Sequence, residues 1–457
     1  MIKKKRIGFI LCALLITACI LVLAGCGKPS LKGTEIVIGN WYEDYDVTKI
    51  DPSSLRNVDE EATYEWRTKI QKDYGFTMRA RNIASWNEMR SVAPNTIMAG
   101  TPAATVFVLQ GDWAMTLIRQ GLAFPISDSN VIDIRNPQPV ESGMQPVNWN
   151  KNTTDSFTFN GKTYAISEGV NLNNAQVIFF NKRLFREAGL DPDLPYNMQK
   201  DGTWTWENFL TVCRQLTRDE NNDGIIDTYA LPRDLSTDIL DAVLSSNGAR
   251  HVDRDPDTGK YVNATDRPEY LEALQFTIRL NTEGVMKARP EGTNWDWYKA
   301  EFADGQVAMR IDESYVWNEL QNMRDDWGVV MFPKGPRSSH YRVFTRENVM
   351  VIPATFKQAD VDKILWALSL WYTPVTDDWK SGWYATFRDS RAVDETLEII
   401  RNTDYHLPKN YIFIPGLERG NIAYTMWYHE GDPAQLIEAV SQDWNSKIQD
   451  INDALFN

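Results

Sequence analysis

The sequence predicts an α/β fold with two lobes and a cleft between them. Short apolar runs with strand character alternate along the chain with amphipathic helical patterns, which is typical of α/β units with mainly parallel sheets. With 43% hydrophobic and 24% charged residues, the composition is that of a folded globular protein. The chain has 457 residues, and this length exceeds what a single hydrophobic core usually supports. Two lobes are therefore expected.

The predicted elements follow one another in a regular order. Strands are predicted over 35–38, 105–109, 175–180, 307–311, 328–332 and 348–352. Helices are predicted over 60–73, 206–217, 268–281 and 359–372. The helix that begins at Trp206 has Thr205 as a suitable N-cap, and Glu207 complements its dipole. No internal repeat or low-complexity tract interrupts this order.

The N-terminal residues have the pattern of an export signal. Four basic residues, Lys3 to Arg6, precede an uncharged apolar run from Ile7 to Ala24, which is long for a signal core and short for a membrane span. The run ends at Leu-Ala-Gly-Cys26, which resembles the lipobox of bacterial lipoproteins. We predict a signal peptide over 1–25, a lipidated Cys26 and a tether over 26–33, with an uncleaved anchor helix as the alternative. The protein would then be lipid-anchored at the extracellular face of the cytoplasmic membrane.

Charge and cysteine content narrow the functions further. The chain has 48 basic and 62 acidic residues, a formal net charge of −14, and four of the basic residues belong to the predicted signal. Nucleic-acid binders are usually basic, so this class is excluded. After removal of the signal and lipidation of Cys26, Cys213 is the one cysteine that remains, and no intramolecular disulfide is expected. On the apolar face of its helix, it should be a packed and inert thiol.

Five sequence motifs occur in a characteristic order. They are GKTYAI at 161–166, VIFFNKRLF at 177–185 followed by AGL at 188–190, TWENF at 205–209, FADGQVAM at 302–309 and WGVVMFPKGP at 327–336. Together they resemble the extracellular solute-binding proteins of bacterial carbohydrate ABC importers, of the family 1 type. Two departures are Ile166-Ser167, where a proline is common, and Asn208, where an acid is usual.

The resemblance implies a periplasmic-binding-protein-like fold. By analogy the N-lobe would contain 34–170 and 348–378, and the C-lobe 171–347 and 379–457. It also implies a binding protein that delivers its ligand to the transmembrane subunits of an ABC permease, and the lipobox adds the lipid anchor of an expected monomer. The aromatic content and an acidic loop favour an oligosaccharide as the ligand, with a uronate-containing one as an option. The ligand would favour a closed arrangement of the lobes.

Candidate ligand contacts are polar and aromatic residues that follow strands or lie at the crossovers between lobes. Open α/β sheets bind ligands beyond the carboxyl ends of their strands, and sugars stack on aromatic rings while polar groups pair with their hydroxyls. The chain has 17 Trp and 18 Tyr. We expect about half of the following set to contact ligand: Trp41, Tyr42, Gln110, Asp112, Trp113, Asn171, Asn173, Asn174, Trp295, Trp297, Asp312, Glu313, Tyr315, Trp317, Arg346, Asn348, Trp383 and Tyr384.

An acidic loop has the spacing of the first nine positions of a calcium loop. Hard Ca²⁺ prefers several oxygen ligands, and Gly224 allows the sharp turn that such a loop needs. The twelfth position is Ala230 and supplies no carboxylate, so a plain turn between helix and strand is the alternative. We predict structural Ca²⁺ with the ligands Asp219, Asn221, Asp223, the carbonyl of Ile225, and Asp227.

A surface glycoside-active enzyme and an adhesion or sensor lipoprotein are the alternative functions. A glycosidase needs two carboxylates about 5–9.5 Å apart across a sugar, whereas Asp312 and Glu313 are adjacent and would point opposite ways in a strand. The four histidines have no metal-ligand spacing, and the sequence contains no HExxH, GxSxG or P-loop motif. We therefore expect a binding protein that is not an enzyme.

Overall fold

The computed structural model describes residues 27–233, 236–345, 348–417, 419–428 and 431–456. The predicted signal peptide, Cys26 and Arg346 lie outside the described residues. Within these ranges, no helix combines the length and apolar character that a membrane span requires.

The strands are short and distributed along the whole chain. In order they are β1 (Glu35–Asn40), β2 (Thr77–Asn82), β3 (Val106–Gln110), β4 (Thr158–Phe159), β5 (Lys162–Thr163), β6 (Ala165–Ile166), β7 (Gln176–Asn181), β8 (Leu231–Pro232), β9 (Val252–Arg254), β10 (Tyr261–Asn263), β11 (Met286–Lys287), β12 (Met309–Glu313), β13 (Trp327–Met331), β14 (Val343–Thr345), β15 (Asn348–Val351) and β16 (His406–Pro408). The predicted strands at 35, 105, 175, 307, 328 and 348 are all confirmed, to within two residues at each end.

Helices fill most of the remaining chain. They are α1 (Val58–Tyr74), α2 (Trp86–Met98), α3 (Gly111–Arg119), α4 (Lys151–Ser156), α5 (Lys182–Glu187), α6 (Leu194–Lys200), α7 (Trp206–Leu216), α8 (Ser236–Ser246), α9 (Pro268–Thr282), α10 (Trp297–Ala303), α11 (Gln358–Trp371), α12 (Ser381–Thr386), α13 (Glu398–Arg401), α14 (Arg419–Tyr428) and α15 (Pro433–Phe456). A π-helical segment, Ala392–Leu397, precedes α13. The four predicted helices correspond to α1, α7, α9 and α11.

Local sequence explains where two of these helices begin. Asn57 caps α1 by accepting a hydrogen bond from the Glu60 backbone N–H, and Gly75 ends the helix in the left-handed conformation (φ 66°). Thr205 occupies the N-cap position of α7, as predicted, but its side chain makes no cap hydrogen bond.

Two sheets organise the chain. The first has the order β2-β1-β3-β15-β6, and the second has the order β12-β7-β13. In the first sheet β1 pairs in parallel with β2 and β3, and β15 is antiparallel to its neighbours. Both partners of β7 are antiparallel to it. The expectation of mainly parallel sheets is therefore wrong for the second sheet, because the long helical insertions between its strands can return the chain to either end.

Each sheet has its own apolar core, which confirms the two-lobed α/β architecture. We call the five-stranded sheet with its helices the N-lobe and the three-stranded sheet with its helices the C-lobe; the exact division of the chain between them stays a prediction. One N-lobe core contains Ile70 of α1 and Leu368 of α11. On the other face of that sheet, N-lobe residues share a cluster with residues from later in the chain, and the rings of Phe157 and Phe413 lie 5.0 Å apart. The lobes therefore touch on this side.

Candidate functional site

A cavity of about 440 Å³ lies at the ends of strands from both sheets. From the N-lobe, Gln110 ends β3, and its register partner Asn348 begins β15. From the C-lobe, Glu313 ends β12. The polar lining consists of Gln110, Asp112, Thr116, Arg119, Asp238, Glu313, Lys409, Tyr411 and Arg419. This is the position predicted for a ligand, beyond the ends of strands.

A fully buried carboxylate, Asp241 on α8, lies next to the cavity wall. It forms ion pairs with Lys409 (3.3 Å) and Arg419 (3.2 Å), and the Tyr411 hydroxyl donates a hydrogen bond to it at 2.8 Å. Burial alone would raise the pKa of Asp241, but Arg419 and Lys409 hold it well below its usual range. Asp241 therefore fixes two cations that line the cavity.

Asp238, one helical turn before Asp241, has the opposite electrostatic environment. Burial, and then the nearby Glu313 and Asp241 carboxylates, raise the pKa of Asp238 to about 7. The side chain is thus about half protonated at neutral pH. A carboxyl group in this state can donate or accept a hydrogen bond, which suits a ligand rich in hydroxyl groups.

A second group of polar side chains lies on the N-lobe side, where Arg67, Tyr42 and Glu168 act electrostatically on Tyr372. Tyr42 is 53% exposed, yet burial raises its pKa to about 12. Glu168 is also exposed, and burial raises its pKa to about 7. The Arg67 guanidinium lies over the rings of Tyr45 (5.0 Å) and Trp371 (4.4 Å).

The first crossover between the lobes is tied to the end of β12. The backbone N–H of Tyr315 donates to the Asn173 carbonyl at 2.9 Å, and the Ser314 hydroxyl donates to the Leu172 carbonyl at 2.6 Å. Tyr315 is 41% exposed, and burial, followed by the Asp312 charge, raises its pKa to about 12. The predicted contacts Asn171, Asn173 and Asn174 are all half-buried at this crossover.

The predicted aromatic residues divide into buried and accessible groups. Trp113 and Trp317 are buried in apolar clusters, and Trp297 is buried as well. Tyr42, Trp295, Tyr315 and Tyr384 are exposed, while Trp41 and Trp383 are half-buried. The Trp41 ring contacts those of Tyr42 (5.3 Å) and Trp113 (5.4 Å), and Trp383 contacts Trp317 (4.7 Å). The Tyr384 hydroxyl donates to Asp394 at 2.6 Å, so its polar end is already engaged.

The adjacent acids Asp312 and Glu313 have different surroundings. Asp312 is buried and accepts a hydrogen bond from Nε of Arg310 at 3.0 Å, whereas Glu313 lines the cavity beside Asp238. This agrees with the opposite directions that consecutive residues of a strand take.

Several lining residues were not predicted from the sequence. Lys409, Tyr411 and Arg419 come from a segment without strands, beyond β16 and into α14. Asp238 lies in the first turn of α8, and Glu168 immediately precedes the first crossover. Lys409 and Glu168 follow the short strands β16 and β6, which the sequence patterns did not predict, so predicted strand ends do not lead to these residues.

The acidic loop is closed by hydrogen bonds from its own backbone. The Asp219 carboxylate accepts from the N–H groups of Asp223 (3.2 Å) and Gly224 (2.8 Å), and Asp227 accepts from Glu220 at 2.7 Å. Among the residues that the structure describes, no group of three or more His, Cys, Asp or Glu is placed to hold a metal ion. Calcium binding at Asp219, Asn221, Asp223, Ile225 and Asp227 stays a prediction.

Comparison with known families agrees with this architecture. The family model for bacterial extracellular solute-binding proteins matches residues 65–361. The chain therefore belongs to this family. A search of curated proteins gave no match.

Solved structures with the same fold include several binding proteins. The ABC substrate-binding protein Lmo0181 from Listeria monocytogenes, in complex with cycloalternan, is 16% identical with a TM-score of 0.54, over 93% of this chain and 99% of that one. UgpB from Mycobacterium tuberculosis, in complex with glycerophosphocholine, is 15% identical with a TM-score of 0.59, over 92% and 99%. The GacH receptor of Streptomyces glaucescens, solved unliganded and with acarbose, is 14% identical with a TM-score of 0.57, over 91% and 98%. At these identities the likeness establishes the fold.

Proposed function

We propose that this protein is the substrate-binding component of a carbohydrate ABC importer and captures an oligosaccharide between its lobes. The observation that carries the proposal is the cavity lined from both lobes by Gln110, Glu313 and the paired cations Lys409 and Arg419. A ligand in this position contacts both lobes and therefore favours their closed arrangement. The proteins of similar fold that are solved with cycloalternan and acarbose support a sugar as the ligand.

A neutral oligosaccharide fits the cleft better than a uronate-containing one. The cavity presents the carboxylates Asp112, Asp238 and Glu313. Two of the three lining cations, Lys409 and Arg419, are already paired with Asp241. An additional carboxylate on the ligand would be repelled by these acids.

The cleft is tested by calorimetry on the detergent-solubilised full-length protein, with neutral oligosaccharides and matched uronate-containing ones. A neutral ligand should bind saturably without any new product, and Glu313→Gln should weaken it about tenfold through loss of a charged hydrogen bond. Glu438→Gln is the matched control, because Glu438 is exposed on α15 and does not line the cavity. Tighter binding of uronate-containing oligosaccharides would contradict the expected repulsion between a ligand carboxylate and the acids of the cavity. Conversion of the sugar into a product would support the enzyme alternative. The absence of binding across the panel would support the adhesion or sensor alternative.

The anchor and partners complete the proposal. We infer that Cys26 carries the lipid, that the monomeric protein works at the extracellular face of the membrane, and that the closed form delivers sugar to the permease subunits. Labelled palmitate should be incorporated into the wild-type protein and not into Cys26→Ala. Release of the wild-type protein into the medium without label would contradict lipid anchoring.

A further inference from the structure

A second pocket of about 550 Å³ shares no lining residue with the cleft cavity. On one side, Ile134 and Trp149 belong to an N-lobe core, and on the other, Trp379 packs against the C-lobe core. Pro374, Thr376 and Asp377, from the chain between α11 and α12, complete this wall. The pocket therefore lies between the lobes, beside the late crossover.

One cation of this pocket lacks an acceptor. The Arg401 guanidinium carbon lies 3.9 Å from the centroid of the Trp379 ring. In the described part of the chain, Arg401 makes no hydrogen bond or ion pair. Arg401 is exposed, and partial burial of its guanidinium lowers its pKa, while the Glu398 charge acts in the opposite direction. Glu398 itself forms an ion pair with Lys380 at 2.9 Å. A guanidinium that forms no ion pair is a favourable position for an anion.

A buried hydrogen-bond donor lines the same pocket. Trp149 is 7% exposed, and its indole Nε1 is buried without a partner among the described residues. The indoles of Trp66 and Trp204 donate to the carbonyls of Leu370 (2.7 Å) and Met331 (2.9 Å). The indoles of Trp366, Trp427 and Trp444 are buried without a partner in the described chain, as that of Trp149 is, but of these four residues Trp149 is the one that lines this pocket. Buried polar groups are normally paired, so an acceptor supplied by a ligand would complete this site.

The charge of the lining has the sign opposite to that of the whole chain. Arg135, Lys151 and Arg401 line the pocket with one carboxylate, Asp377, in a protein of net charge −14. Arg135 and Lys151 share Asp155 at 2.7 and 2.6 Å, and Arg401 is left as the cation without an acceptor. We propose that this pocket is a second binding site, for a small anion that carries a single ring.

The anionic group would pair with Arg401, and the ring would pack on the apolar wall of Val147, Pro146 and Pro374. Pockets of this volume hold molecules of one or two rings. Since the wall includes side chains from both lobes, an occupant also biases the angle between them. That coupling rests on the proposed function, whereas binding at the pocket does not.

The experiment is a titration of the detergent-solubilised full-length protein by saturation-transfer NMR. The probes are D-glucuronate and benzoate, each compared with its uncharged counterpart, D-glucose and benzamide. At least one anion should bind saturably, with an affinity about tenfold or more higher than that of its uncharged counterpart. The uncharged counterpart lacks the charged hydrogen bond to Arg401. Preference for glucuronate identifies a sugar acid as the ligand class, and preference for benzoate identifies an aromatic acid.

Two variants locate the site. Arg401→Gln should weaken the preferred anion about tenfold or more without a change in melting temperature, because Arg401 is exposed. Trp149→Phe should also weaken it, with a lower melting temperature because Trp149 is buried in an N-lobe core. Arg186→Gln is the matched control, since Arg186 is exposed on α5 and remote in sequence from both pockets. Binding of neutral oligosaccharide in the cleft, measured separately, should persist in Arg401→Gln.

Three results would overturn the proposal. They are equal binding of the charged and uncharged probes, unchanged anion affinity in Arg401→Gln, and displacement of the anion by an excess of a neutral oligosaccharide that occupies the cleft. If no oligosaccharide binds the cleft while the anion still depends on Arg401, the proposed transport function fails and the second site stands.

Discussion

Replacing two aspartates one helical turn apart on α8 should change stability in opposite directions. Asp241 is fully buried and paired with Lys409 and Arg419, while Asp238 is crowded by Glu313. Asp241→Asn and Asp238→Asn make the same chemical change in the same helix. A difference in stability between the two variants therefore reports on the electrostatic environment of each aspartate, because helix propensity and side-chain size change equally in both.

The magnitudes follow from the two environments. Asp241→Asn leaves Lys409 and Arg419 without their carboxylate, and breaking a buried ion pair from one side costs about 3–5 kcal/mol. For Asp238, the pKa is raised from the usual value of 3.8 to about 7, so ionisation of its carboxyl group opposes folding. Each unit of pKa shift corresponds to about 1.36 kcal/mol of folding free energy, and screening by solvent in the cleft reduces this contribution. Asp238→Asn should therefore stabilise the protein by about 1–2 kcal/mol at pH 8.

The pH dependence of the two variants differs as well. A carboxyl whose pKa is raised on folding contributes its full stability below its unfolded pKa, and that contribution is lost as pH rises from about 4 to about 7. The advantage of Asp238→Asn should therefore be present at pH 8 and absent at pH 4. Asp241 has a lowered pKa, so the cost of Asp241→Asn should persist at pH 8 and pH 5.

Urea denaturation followed by tryptophan fluorescence measures both effects. Wild type and the two variants are compared at pH 8, 5 and 4, with the slope of each transition checked for a change in mechanism. The reasoning is refuted if Asp241→Asn loses less than about 1 kcal/mol. It is refuted equally if Asp238→Asn destabilises the protein at pH 8 as much as Asp241→Asn does.

Three further predictions concern single features. Trp41→Ala should weaken oligosaccharide affinity, which calorimetry measures. Trp317→Ala should cost about 3–5 kcal/mol of stability, because Trp317 is 3% exposed. Urea denaturation measures this loss, and a wild-type transition for Trp317→Ala would contradict the burial of Trp317. The Cys213 thiol is fully buried, and burial raises its pKa well above its usual range, so a thiol reagent should label it only after unfolding; labelling of the folded protein would contradict this. Chelation should lower the melting temperature of calcium-loaded protein and have no effect on Asp219→Asn; identical wild-type melts would leave the loop as a plain turn.

Local periodicity was sufficient to predict the elements but not the direction of every strand. The apolar run that became β7 and the amphipathic run that became α9 are properties of consecutive residues, and both were predicted. The antiparallel pairing of β12 and β13 with β7 depends on where long insertions return the chain. No pattern within a single strand encodes that choice.

The cleft shows the same division between local and long-range information. Residues at strand ends, such as Gln110 and Glu313, were found because their position follows from the strand itself. Asp238, Lys409 and Arg419 come together only because α8 and the segment after β16 fold against each other around Asp241. The sequence separation between these groups leaves no spacing motif that could join them.

Within a short segment, however, a finer use of periodicity separates lining residues from core residues. In α3 the cavity is lined by Asp112, Met115, Thr116 and Arg119, which follow the three- and four-residue spacing of one helix face. Trp113 and Leu117 belong to the buried side of the helix, and Met115 contributes both to the lining and to the buried cluster. The sequence prediction joined Trp113 to Asp112 because both follow β3, and of these two residues Asp112 lines the cavity. The rule for ligand position selects a strand end, and the helical period then decides which of the following side chains line the cavity.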